Sequence, residues 1–351
     1  MLILGIETSC DETSAAVVEN GTLVRSNVVS SQIALHAPYG GVVPEIASRQ
    51  HIRGIAPVVE MALREARVEL SDIEAIAATR GPGLAGALLV GINFARGLAL
   101  ARKVPLIPVN HLEGHIHSVW LRSEHNVTGS PELPLLSLIV SGGHTELVVM
   151  RRHGEYELIG RTRDDAAGEA FDKVARLIGQ PYPGGPAIQK LSQHATHPHP
   201  LPRAWLPGTY DFSFSGLKTA VLHTVYEAIE GQSPGQVRGR ALPRVDVVGG
   251  LPRDVAANIA AGFQESVVDV LVRKTVAAAE EHNVASVALV GGVAANSALR
   301  EAMQADVQRP LFIAPLEYAT DNAAMIAAAA YFVPKPPEDL DIDPALELAT
   351  A

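Results

Sequence analysis

The 351 residues predict an α/β protein of two duplicated lobes that share one cleft. Three features point there. Short apolar β-type runs alternate with longer helical patterns. The order of elements runs through once and then starts again near residue 135. A chain of 351 residues ordinarily forms two domains or lobes, each able to bury a core. We expect a first lobe over residues 1–130, a second with helical insertions over 131–332, and a Pro-rich, acidic, disordered tail over 333–351.

Residues 2–6 are an apolar strand and residues 15–18 a second one. Between them stands Glu7-Thr8-Ser9-Cys10-Asp11-Glu12-Thr13-Ser14. Such a turn is a common hairpin; alternatively it is a phosphate or phosphate-metal loop, with Asp11 and Glu12 orienting magnesium or water. A helical pattern over 47–66 carries Arg49, His51 and Arg53 at its start, expected on a solvated face. A strand over 73–79 then leads through Arg80-Gly81-Pro82-Gly83 into a helix ending near residue 101. Glycines at such a turn admit a ligand to backbone amides or only permit tight packing. After a strand over 104–109 comes Asn110-His111-Leu112-Glu113-Gly114-His115-Ile116-His117-Ser118. In a helix beginning there, His111 and His115 stand one turn apart on one face. They either grip one metal ion or merely cap and pack the helix start. Glu113 falls on the other side, so this is not the His-Glu-x-x-His arrangement of a metalloprotease.

Residues 124–134 are polar with Gly and Pro, which marks a lobe boundary. Residues 135–140, the turn Ser141-Gly142-Gly143-His144-Thr145, and residues 146–150 then repeat strand, polar turn, strand. Late in the chain the strand at 286–290, the turn Gly291-Gly292-Val293-Ala294-Ala295-Asn296, a helix, the strand at 310–314 and a helix opening at Thr320-Asp321-Asn322 repeat the rest. By this correspondence Asp321 matches the start of the histidine helix. Lobes facing each other about a pseudo-twofold axis would bring all three residues to one cleft at the carboxyl ends of the strands. Two imidazoles and one carboxylate with open positions suit Fe(II), with Zn(II) close behind. Taken alone, Asp321 is equally a helix cap.

The insertions contribute further candidates. Asp164 to Lys173 opens a helix whose acids suit its positive end, while Glu169 and Asp172 could face hydroxyls or a cation. Tyr182-Pro183-Gly184-Gly185-Pro186 is a rigid turn where Gly185 could admit a sugar or base. Residues 192–207 read as a surface loop, Lys218 as solvated, residues 232–252 as a mobile loop, and residues 256–282 as an amphipathic core helix.

Composition narrows the class. The net charge of −10 argues against a free-standing nucleic-acid binder, so any such partner needs a local patch or another subunit. Cys10 is the only cysteine, which excludes an internal disulfide and agrees with a reducing cytoplasm. No signal peptide is expected. No charge-free run reaches the span of a bilayer, since residues 83–101 include Asn93 and Arg96.

Together Gly5 to Thr13, the His-x-Glu-x-His segment at 111–115, Ser141 to Thr145, Asp164 to Lys173, Tyr182 to Pro186, Phe212 to Thr219, Gly291 to Asn296 and Thr320 to Ala323 resemble a known family. It is that of the universal tRNA adenosine threonylcarbamoyltransferases, once described as O-sialoglycoprotein endopeptidases. The resemblance covers residues 1–332 and implies the duplicated lobes of the actin, Hsp70 and sugar-kinase (ASKHA, RNase H-like) superfamily. It implies one divalent metal per subunit, usually iron, on His111, His115 and Asp321. It also implies substrate contacts at Ile139, Val140, Ser141, Gly142, Gly143, Asp172, Gly185 and Asn296. The implied reaction moves threonylcarbamoyl from threonylcarbamoyl-AMP onto the exocyclic amine of the adenosine beside the tRNA anticodon, with Asp11 and Glu12 tuning the phosphate side. Implied bacterial partners are a metal-less paralogue (TsaB-type) and a small ATPase (TsaE-type). An ATPase or sugar kinase of the same superfamily is the alternative, and a scaffold paralogue should lack the metal ligands. Residues 232–252, longer than the family leads us to expect, and the tail bear on partner or RNA docking.

Overall fold

A computed structural model describes residues 1–122, 129–230, 251–333 and 340–348. All but the end of the loop expected at 232–252, and residues 124–128 of the expected lobe boundary, lie outside the described residues.

The first sheet contains β1 (Leu2–Glu7), β2 (Glu12–Glu19), β3 (Leu23–Ser31), β4 (Ala75–Gly81) and β5 (Leu106–Asn110), in the order β3-β2-β1-β4-β5. The second contains β6 (Leu135–Val140), β7 (Thr145–Arg152), β8 (Glu155–Arg161), β9 (Ser286–Val290) and β10 (Leu311–Ile313), in the matching order β8-β7-β6-β9-β10. In each, the first three strands are antiparallel and the last two join in parallel. The central strands β1, β6 and β9 are mostly apolar and almost wholly buried because both their faces are covered. The edge strands β3 and β8 are half polar, which is why their sequences do not stand out as strands.

The principal helices are α1 (Pro44–Ala66), α2 (Ala85–Arg102), α3 (His111–His117), α4 (Ala167–Leu177), α5 (Gly184–Ser192), α6 (Ser215–Glu230), α7 (Arg253–Glu281), α8 (Ser297–Asp306) and α9 (Ala323–Phe332). Residues 256–282, expected to be amphipathic, fall in α7, which is instead buried on most sides. The cause is its neighbours: α5, α6, α8 and β6 surround it. By length and composition both α2 and α7 could cross a membrane, yet α7 forms the core of the second lobe and α2 packs on β4 and α1.

Two helices change sides. The alanine-rich α9 comes late in the chain but lies on the first sheet, its residues Ala323–Ala330 packed with Ile3, Ala16 and Ala77. Gly5 on β1 makes room for it, since a Cβ there would stand 2.2 Å from the Ala323 carbonyl oxygen. The earlier α3 turns Leu112 and Ile116 toward Leu135, Ile139 and Val290 of the second sheet. Gly114 lets α3 and α9 meet, because a Cβ there would lie 2.8 Å from the Ile326 side chain. Residues 323–332, grouped with the second lobe on sequence, thus pack on the first.

The tail departs from its expected disorder over residues 340–348. Asp343 donates its amide to the Arg80 carbonyl (3.0 Å), and Gly83 donates to the Pro344 carbonyl (3.2 Å). Asn110 Nδ2 reaches the Glu347 carbonyl at 3.1 Å, Glu347 pairs with Arg161 of β8, and Leu348 is buried among second-lobe residues. This acidic segment, with little hydrogen bonding of its own, is ordered by borrowing donors and acceptors from both lobes.

Candidate metal centre and active-site cleft

At the end of β5 the Asn110 side chain accepts the Leu112 amide at 2.8 Å and caps α3. The capped helix therefore begins at His111, with His115 one turn on. On α9 the cap is Asn322, whose Oδ1 accepts the Met325 amide at 3.1 Å. Asp321, just outside that cap, is thereby released from the capping role its sequence position allowed. Its Oδ1 lies 3.5 Å from His111 Nε2 and 3.3 Å from His115 Nε2. One donor atom from each of the three lies within 4.8 Å of the others. The two rings stand nearly perpendicular, 82° apart with centroids 4.7 Å apart.

The donor set fits a metal ion by a second observation. His115 is fully buried, yet among the described residues neither of its ring nitrogens has a well-formed hydrogen bond. A buried polar atom without a partner is costly unless something else satisfies it, and Nε2 facing a carboxylate and a second imidazole has the surroundings that a cation ligand needs. His111 differs: its Nδ1 lies 2.9 Å from the buried Glu7 carboxylate. Sequence reasoning assigned Glu7 no role. The one signal was an acid ending an otherwise apolar, buried strand.

The charges reinforce each other. Burial alone would push His111 down, but the charges of Asp321 and Glu7 hold it well above its ordinary range. Burial opposes ionisation of Asp321, yet both imidazoles hold it far below the usual carboxylate range. His115 is pushed down, first by burial.

His111 and Asp321 line a cleft of about 690 Å³ between the lobes, with Asp11, Glu12, Ser141, Gly143 and Asp172 among its other walls, and His115 lies buried behind them. The family model described as tRNA N6-adenosine threonylcarbamoyltransferase (TsaD) matches residues 23–328. The chain belongs to this family.

It is 51% identical over 354 residues to the tRNA N6-adenosine threonylcarbamoyltransferase of Dehalococcoides mccartyi, covering all of both chains. It is 53% identical over 347 residues to that of Thermomicrobium roseum, covering 98% of this chain and 95% of the relative. Among solved structures it resembles component A of the Acidaminococcus fermentans (R)-2-hydroxyglutaryl-CoA dehydratase at a TM-score of 0.51 and 15% identity, over 94% of this chain and 98% of that one. That likeness shows the fold alone, the two-lobed α/β architecture described above.

Within this TsaD-family cleft the expected substrate residues divide. The Ser141 hydroxyl accepts the amides of Gly143 (3.3 Å) and His144 (3.1 Å), and side chains at Gly142 and Gly143 would meet nothing within 4 Å. The glycine loop is thus built tightly yet leaves open space above it. Ile139 and Val140 are fully buried in β6 and can offer the cleft only backbone. Asp172 lines the cleft while accepting the Gly184 amide at 2.6 Å, and burial pushes its carboxyl upward. Gly185 has open space at the start of α5. Asn296 is committed elsewhere: its Oδ1 caps α8 through Leu299 (3.0 Å), its Nδ2 donates to Gln264 (2.9 Å), and it does not line the cleft.

Asp11 and Glu12 both face the cleft. Burial, then the charges of Asp321 and Asp11, push the Glu12 carboxyl up to about 9, and its Oε1 accepts the Ser31 hydroxyl at 3.0 Å. Two expectations are corrected. His51 is not solvated but buried, with Nδ1 2.8 Å from the Thr13 hydroxyl and Nε2 2.9 Å from the Cys10 carbonyl, bracing the Asp11 turn from behind. Its i±4 neighbours Ala47 and Ile55, both buried, were the available signal. Lys218 is not merely solvated either, because it pairs with Asp165.

Proposed function

We propose that this chain transfers the threonylcarbamoyl group of threonylcarbamoyl-AMP to the N6 amine of the adenosine beside the anticodon in tRNAs reading codons that begin with A. The products are N6-threonylcarbamoyladenosine and AMP. The observation that carries the reading is the meeting of His111, His115 and Asp321 at the cleft in a TsaD-family chain. An ATPase or sugar kinase has no use for two buried imidazoles so placed.

The exocyclic amine is a poor nucleophile and the adenylate a good leaving group. The protein therefore has chiefly to position both and to stabilise charge growing on the carbonyl oxygen. His111, His115 and Asp321 would hold one Fe(II), or Zn(II), which when bound supplies a Lewis acid or template. The loop at Ser141, Gly142 and Gly143, with the turn at Gly291 and Gly292, would hold the adenylate by backbone amides. Ile139 and Val140 would serve through the strand that carries this loop. Asp172 is suited to ribose hydroxyls and Gly185 to close approach of the base or sugar. Asn296 would act by fixing the turn before α8. Asp11 and Glu12 would meet the phosphate side.

The reactive base lies in a single-stranded anticodon loop, where RNA bases are accessible to proteins. With a net charge of −10, tRNA docking would draw on partners, a metal-less paralogue and a small ATPase in a bacterial cytoplasm.

The test is to purify the protein anaerobically, measure bound metal, and supply unmodified tRNA, threonylcarbamoyl-AMP and the partner proteins. Formation of the modified nucleoside is expected. Steady ATP turnover without RNA, and no modified nucleoside, would favour the kinase or ATPase reading.

A further inference from the structure

We propose that Glu7 is a positioning residue for the metal centre, fixing His111 with Nδ1–H toward its own carboxylate and Nε2 toward Asp321. This rests on the reading of His111, His115 and Asp321 as ligands. Glu7 ends β1 and is fully buried. A carboxylate taken out of water is costly unless charged or hydrogen-bonded partners compensate it. Here every partner is accounted for. Oε1 accepts the Ser9 amide, and Oε2 lies 2.7 Å from the Thr79 hydroxyl and 2.9 Å from His111 Nδ1. The Ser9 hydroxyl lies 3.2 Å from the same ring nitrogen.

The three contacts have separate effects. Thr79, on the parallel neighbour β4, and the Ser9 amide hold the carboxylate in one orientation. The carboxylate in turn selects which ring nitrogen of His111 carries the proton, leaving the Nε2 lone pair for a cation. Histidine ligands commonly donate their second N–H to such a group, which raises their basicity and fixes the ring. His115 has no counterpart to Glu7: among the described residues its Nδ1 has no hydrogen-bond partner, and its charged neighbour is Asp321 on the Nε2 side. The centre would thus contain one imidazole oriented from behind by a carboxylate and one without such support.

The experiment uses the full-length metal-free protein and Co(II) as the probe, following affinity by calorimetry and ligand geometry by visible absorption. Glu7→Gln removes the charge, while Thr79→Val removes only the support behind it and is the variant best placed to stay folded. We expect Co(II) affinity to fall about 10- to 100-fold in Glu7→Gln, by a smaller factor in Thr79→Val, with an altered absorption band in both. Wild-type affinity and spectrum in a folded Thr79→Val, together with either the same in Glu7→Gln or failure of Glu7→Gln to fold, would overturn the role of Glu7. A wild-type protein that takes up no Co(II), or a His111→Ala protein that binds it unchanged, would instead overturn the ligand assignment. A role confined to holding the Ser9 turn would shift the urea midpoint and leave both Co(II) readouts alone.

Discussion

The two lobes have the same strand order but fill one crossover differently. Between its third and fourth strands the first lobe has α1 as its long helix, whereas the second places α4, α5, α6 and α7 there. What they share brings the candidate ligands together: the turn after β5 delivers two imidazoles, and the segment between β10 and α9 delivers one carboxylate. What they do not share lines the rest of the cleft, since Asp172 on α4 and the turn before α5 have no counterpart in the first lobe. Duplication thus accounts for where the ligands meet, and divergence for what the cleft would accept.

The comparison breaks most completely at the second lobe's one ligand. Asp321→Ala should lose bound metal while remaining folded, and transfer should fall on the order of 10³-fold if the ion stabilises the transition state by several kcal/mol. Metal content and single-turnover assays with supplied threonylcarbamoyl-AMP check this, and full activity would remove the metal from the mechanism. His111→Ala should behave alike, so the two lobes contribute to one site rather than to two.

The exchange of helices between lobes is tested at Gly5. Gly5→Ala drives a methyl group against the Ala323 carbonyl at 2.2 Å and should cost about 1–3 kcal/mol, read from urea unfolding. An unchanged midpoint would mean that α9 does not rest on β1. A smaller effect is expected where the tail ties the lobes together. At Gly81 an added Cβ would stand 1.8 Å from the Asp343 carbonyl oxygen. Gly81→Ala should therefore release residues 340–348 and expose Leu348, seen as faster amide exchange there with the two sheets still protected.

A pH dependence sharpens the contrast further. Glu146 on β7 is pushed up to about 7, chiefly by burial, from an ordinary 4.5. The folded state then keeps a proton that the unfolded chain gives up, so this group lowers stability as pH rises from about 4.5 to 7. Glu146→Gln stays neutral throughout. Its stability relative to the wild type should improve between pH 5 and pH 8, and a constant difference would refute the shift.

Much of this was legible in one dimension. The strand and helix order, the duplication, the His111 and His115 pair and the correspondence of Asp321 all follow from periodicity and spacing, which are local properties. The edge strands β3 and β8 escaped because half-exposed strands have mixed sequences. His51 and Glu7 escaped because a lone polar residue in an apolar stripe does not announce its partner. Thr13 and Cys10 lie 38 and 41 residues from His51, and Glu7 lies 104 residues from His111. Asn296, expected to touch substrate, also caps α8 and donates to Gln264, a pairing across 32 residues that spacing does not announce.

By itself the sequence determined that two similar halves would each end a parallel strand pair in a turn bearing imidazole or carboxylate side chains, because alternation, glycine turns and helix caps are written in neighbouring residues. Only the tertiary structure decided that α3 and α9 cross to opposite sheets, that Asn322 rather than Asp321 caps α9, and that the acidic tail clasps both lobes. Those outcomes depend on which distant surfaces are small enough to approach and which buried polar atoms must find partners. Neither property belongs to any one segment of the chain.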